Sequence, residues 1–155
     1  MPEKATLERA RRDKRQGKSP STQAGEFVKE QIDRIRKGRH GARNTKQAIA
    51  IGLSEARRAG VPLGSPRKGS TSASTRRKAA QDSRRGRTHP VRSESDVSPR
   101  RSAATQRALK REPTRTVSRS ALSRQAKSAA SRRSHADRSR AARKAARTRE
   151  TRASM

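Results

Sequence analysis

Residues 19–63, SPSTQAGEFVKEQIDRIRKGRHGARNTKQAIAIGLSEARRAGVPL, decide the fold. Phe27, Val28, Ile32 and Ile35 recur at helical spacing behind Ser19, a good capping residue, and Pro20, which suits a first helical position. Gly38 stands where a C-terminal glycine belongs, so a helix is predicted over residues 19–37, with Lys29, Asp33, Arg34 and Lys37 on its charged face. A second helix follows Asn44, whose side chain can cap while Gln47, three residues on, reaches back. Its stripe is Ala48, Ile49, Gly52, Leu53 and Ala56; it should stop at Gly60 ahead of Pro62, and Gly52 should let the two helices approach closely. The expectation is a helical hairpin turned through residues 38–43, with a core of Phe27, Val28, Ile32, Ile35, Ile49 and Leu53.

Outward from this block the chain loses the means to pack. Its 155 residues hold 43 Lys+Arg against 13 Asp+Glu, a formal net charge of +30. Val, Ile, Leu and Phe number 15, about a tenth of the chain, where a highly charged sequence below roughly 20% is expected to be disordered. Seven of those fifteen lie between Phe27 and Leu53. Charge divides unevenly too: 16 bases and 7 acids in residues 1–60, 27 bases and 6 acids in residues 61–155. The fold class expected is therefore mostly α, a small hairpin module at residues 19–63 carrying a long basic tail.

Residues 1–18 have only Leu7 as a large apolar anchor and read as a charged, fraying helix. Residues 64–117 are rich in Arg and Ser, are interrupted by Pro66, Pro90, Pro99 and Pro113, and read as a disordered linker. Residues 118–155 are rich in Ala, Arg and Ser, without Pro or Gly from Ser118 to Glu150, but have no apolar face. Like charges three and four apart oppose a helix there, so this tail is expected to be disordered alone and helical when its charge is neutralised. Six large core residues cannot by themselves offset the entropy of ordering some forty, so the hairpin is expected to self-associate as a homo-oligomer or to dock on a partner.

Catalytic chemistry finds no support. Cysteine is absent, and His40, His89 and His135 are scattered without HxxxH or HxE spacing, which speaks against a metal. The serines lack a GxSxG elbow, and the phosphate loops GxxxxGK[ST] and GxGxxG are missing. The reading is a protein without catalytic residues, cofactor or metal. The longest apolar run, residues 48–53, is far short of the roughly 20 residues that span a bilayer, and the first eighteen residues have no apolar core. No membrane partner and a cytoplasmic location, on the nucleoid, are expected.

Charge remains, and nucleic acid is the polymer that answers it. Each phosphate neutralised releases condensed counterions, which gives strong, sequence-tolerant, salt-sensitive binding. Arg outnumbers Lys 32 to 11, which favours forked phosphate contacts and narrow minor grooves. With one Phe and no Tyr or Trp there is no stacking platform for single strands, so duplex DNA is favoured over RNA. The candidate contacts are Arg39, Arg43 and Lys46 around the hairpin loop, Arg76, Arg77 and Lys78, the pair Arg84 and Arg85, and in the tail Arg132, Arg133, Arg143 and Lys144. Two further elements, Ser65-Pro66-Arg67-Lys68 and Ser98-Pro99-Arg100-Arg101, are similar to the SPKK-type turns of linker-histone tails, which implies that Arg67, Lys68, Arg100 and Arg101 face a minor groove.

The patterns GEFVKEQI, GRHGAR and TKQAIAIGLSEARRAGV within residues 19–63 resemble a family of small basic bacterial proteins that often carry Lys/Arg/Ala-rich tails. The resemblance covers about 45 of the 155 residues and implies a histone-like, DNA-binding or plasmid-stabilisation role. The tail here departs from the family in being Arg/Ser-rich. Three functional readings follow: a sequence-nonspecific, histone-like DNA-binding protein; an RNA- or ribosome-associated basic protein; and a plasmid-maintenance adaptor whose hairpin binds a protein.

Overall fold

Local signals set the helix ends. Ser19 accepts a hydrogen bond from the Thr22 amide at 3.4 Å, Pro20 opens the helix, and Gly38, with φ of 68°, closes it. The Gly38 amide donates to the Ile35 carbonyl and the Arg39 amide to the Arg34 carbonyl, both at 3.0 Å, which is the paired closure of a Schellman end. The next helix begins as its sequence indicates: Asn44 Oδ1 accepts from the Gln47 amide at 2.9 Å. Gln47 Oε1 in turn accepts from the Arg43 amide at 2.6 Å.

The computed structural model describes residues 2–88 and 99–153, which are mostly helical. In chain order the helices are α1 (Lys4–Arg15), α2 (Pro20–Arg36), α3 (Thr45–Arg58), α4 (Ala73–Thr88), α5 (Pro99–Lys110), α6 (Arg119–Ser131) and α7 (His135–Ala153), with a 3₁₀ turn at Arg115–Val117. The chain divides into two compact units, Met1–Ser118 and Arg119–Met155.

In the first unit α2 and α3 pair most extensively, α1 lies on α2, and α4 lies on α3. The pair is close because Gly52 has no side chain: a Cβ there would stand 2.7 Å from Val28 Cα. Small residues therefore define the contact face of α3, with Ala48, Gly52 and Ala56 buried four apart. Two clusters result. One joins Ala10, Ala24, Phe27, Ala56 and Val61, with Leu7, Leu53, Ala59 and Leu63 against it; the other joins Ile35, Ala42, Ala48 and Val117, with Ile32 against it.

Phe27 and Ile35 are fully buried, but the expected hairpin core needs correction elsewhere. Val28, Ile32, Ile49 and Leu53 are half-buried, and Ile49 stands in neither cluster. With closest approach at Gly52, the stripe of small residues faces α2, and Ile49 lies about 100° around the helix from Ala48.

The boundaries also move. Residues 1–18 contain a docked helix: Thr6, Ala10 and Asp13 of α1 are buried, Arg9 Nε donates to Glu26 Oε2 at 2.6 Å, and Lys18 pairs with Asp13 at 2.7 Å. Residues 64–117, read as a disordered linker, contain α4 and α5. Helix α4 docks through Ala79, Asp82 and Gly86, and a Cβ on Gly86 would collide with the Arg57 carbonyl. Large apolar residues were the wrong signal for this contact, which is made by small residues and one buried acid. Val117 is 1% exposed and completes the second cluster from the far end of the unit.

The second unit is different in kind. Helix α7 is capped by Ser134, whose Oγ accepts from the Asp137 amide at 3.1 Å, and Asp137 pairs with Arg140. No described residue of α6 or α7 is buried. No helix among the described residues is long and apolar enough to cross a membrane.

Candidate nucleic-acid interface

Helix α4 sorts its side chains by face. Toward α3 it turns Ala79, Asp82 and Gly86, flanked by half-buried Arg76 and Ser83. Asp82 is the only acid of this helix, and its Oδ2 accepts a hydrogen bond from Ser54 Oγ at 2.5 Å. Ser83 Oγ donates to the Leu63 carbonyl at 3.0 Å. Arg57, 8% exposed, donates through Nη2 to the Gly64 carbonyl at 3.2 Å while its Nε has no partner. Burial pushes the Arg57 guanidinium below its ordinary range, and the charge of Asp82 acts in the opposite direction.

The consequence appears on the other side. Arg77, Lys78, Arg84, Arg85 and Arg87 are all exposed, and the helix has no carboxylate among them. Arg77 and Arg84 are seven residues apart, as are Lys78 and Arg85, which makes two basic rungs about 10.5 Å apart along the axis. Five exposed cations on a helix whose one acid is turned inward repel one another and are relieved by a polyanion. Arg76, grouped with them by sequence, belongs to the docking side, with its Nε buried and unpaired. Arg87 escaped the sequence reading because it lies outside the Arg84-Arg85 pair; the period of the buried Ala79, Asp82 and Gly86 would have revealed it.

The hairpin loop is committed elsewhere. Arg39 Nη1 donates to Glu3 Oε1 at 3.2 Å. The loop amides of Gly41 and Ala42 donate to the carbonyls of Leu109 at 2.9 Å and Pro113 at 3.0 Å, so they cannot also cradle a phosphate. Arg43 and Lys46 are exposed. Under the loop, Gln31 Nε2 donates to Glu55 Oε2 at 2.7 Å, which orients Gln31 Oε1 toward His40 Nε2 at 3.1 Å. His40 Nδ1 lies 3.0 Å from the Gly41 carbonyl, so this histidine braces the loop rather than facing a ligand.

The remaining candidates are dispersed. Arg67 and Lys68 are exposed ahead of α4, but the hydrogen-bonded turn runs from the Arg67 carbonyl to the Ser70 amide at 3.1 Å, two residues beyond the expected Ser-Pro turn. Pro99 is the first residue of α5, which places exposed Arg100 in a helix rather than a turn. Ser98 and His89 lie outside the described residues, as does the side chain of Arg101. In the second unit Arg132 and Arg133 occupy the α6–α7 connection and Arg143 and Lys144 lie on α7, all exposed.

Between α1 and α2 is a cavity of about 220 Å³. Its wall holds the ion pairs of Glu30 with Arg34 and Glu3 with Arg39, beside Arg9, Lys29, Asp33 and Lys37. No group of three His, Cys, Asp or Glu among the described residues could hold a metal ion.

Residues 11–68 match the Family of unknown function (DUF6496). That match takes in α2 and α3 and ends ahead of α4. No curated protein and no solved structure matches the chain.

Proposed function

We propose that this is a non-enzymatic, sequence-nonspecific DNA-binding protein of histone-like type, associated with the nucleoid, that acts by neutralising backbone phosphates. The observation that carries the reading is the sorting of α4: its acid is turned inward onto Ser54, and Arg77, Lys78, Arg84, Arg85 and Arg87 share the solvent face. Docking on α3 fixes the backbone that carries these bases before a ligand arrives, so the ordering left for binding is that of the side chains. Contacts to phosphates position a protein and carry no sequence information, which fits a face of Arg and Lys without Asn, and with Gln81 as its single amide. Arg67, Lys68 and the exposed bases of α6 and α7 add affinity of the same kind.

The test is the salt dependence of duplex binding. Log affinity should fall linearly with log salt at about 0.9 per phosphate contacted. Replacing Arg77, Lys78, Arg84 and Arg85 together by Ala should lower the slope by about 3 to 4. An unchanged slope removes α4 from the interface, and displacement of the duplex by structured RNA at matched salt transfers the reading to RNA.

A further inference from the structure

A second surface of the first unit holds a peptide. Residues 109–117 run as a strap across the end of α2, the loop behind it and the start of α3. The grip is almost wholly on main-chain oxygen. Gly41 N donates to the Leu109 carbonyl at 2.9 Å and Ala42 N to the Pro113 carbonyl at 3.0 Å. Thr45 Oγ1 donates to the Thr116 carbonyl at 2.6 Å, and Arg36 donates through Nε and Nη2 to the Val117 carbonyl, each at 3.3 Å. One side chain of the strap is a deep anchor: Val117 enters a pocket made by Ile35, Ala42 and Ala48. Gly41 permits the approach, since a Cβ there would collide with the Glu112 carbonyl and come within 2.8 Å of that of Pro113.

Four residues that donate to backbone carbonyls and one socket for a β-branched side chain form a peptide site, here filled by a turned segment that ends in the 3₁₀ turn Arg115–Val117. The strap is also an isolated anchor. Before it, none of residues 103–110 in α5 is buried; after it, none of α6 is. Leaving the groove therefore uncovers the Val117 pocket and dismantles nothing on either side. The residues that build the groove, 35–48, lie inside the family match, whereas the strap lies outside it.

We infer that this groove is a peptide-docking site whose occupant is the strap, and that the strap of a second copy can take the place of the chain's own. Every copy presents the same carbonyls and the same Val117, so exchange conserves each contact while linking two chains, a low-cost route to a dimer. The inference is independent of DNA binding.

Two full-length variants break opposite halves of the contact. Val117→Asp spoils the strap and leaves the groove sound; Gly41→Ala spoils the groove and leaves the strap sound. Each alone should be monomeric at high salt in native mass spectrometry, and their mixture should give a one-to-one heterodimer. A synthetic peptide of residues 109–118 should bind Val117→Asp and be refused by Gly41→Ala. Should Val117→Asp fail to fold, Val117→Ala gives the same reading by hydrogen exchange. Its Gly41 and Ala42 amides should exchange at least tenfold faster than in the parent chain, and the peptide should restore their protection. No heterodimer from two folded variants, or exchange in Val117→Ala that the peptide leaves unchanged, overturns the inference.

Discussion

Helices α4 and α7 have nearly the same composition, Arg-rich, with Ala and almost no large apolar residue, yet the first is oriented and the second is not. Helix α4 has a docking face of Ala79, Asp82 and Gly86, so its five exposed bases are confined to the half of the helix turned away from α3. In α7 no described residue is buried, and Arg138, Arg140, Arg143, Lys144, Arg147 and Arg149 are exposed around the helix. What separates them is one inward acid and one glycine, which convert a uniformly basic helix into a sided one.

The largest effect that can break this comparison starts in the core. Phe27→Ala should destabilise the first unit by about 3–5 kcal/mol, as truncation of a fully buried aromatic does. Amide exchange should quicken through α2, α3 and α4 and stay unchanged in α6 and α7, which owe nothing to Phe27; slowed or quickened exchange in α7 would contradict two separate units. A smaller effect isolates the docking itself. Gly86→Leu drives a side chain into the Arg57 carbonyl and should cost about 1–3 kcal/mol. Helix α4 should then exchange its amides as fast as α7 while the α2–α3 pair keeps its protection.

The contrast also explains what could be read in advance. The ends of α2 and α3 were legible because each is written locally: Ser19 and Pro20, Asn44 and Gln47, Gly38 and Gly60. The closeness of the pair was legible in Gly52. Docking of α4 was not, because its face is a small residue, a glycine and a buried acid whose partner, Ser54, is 28 residues away. Ile49 was misplaced because the apolar stripe of α3 is centred on its small residues. The strap was invisible for a simpler reason. A single valine 81 residues from Arg36 has no local signal, and its docking rests on carbonyls that every residue possesses.

One measurement decides whether sidedness or mere charge binds DNA. Arg77→Glu with Arg84→Glu on α4, and Arg143→Glu with Lys144→Glu on α7, lower the net charge equally. Their duplex affinities should be measured side by side at one salt concentration. The α4 pair should lose at least about tenfold, and clearly more than the α7 pair. Equal losses would mean that only total charge matters, and that the oriented face of α4 is no interface.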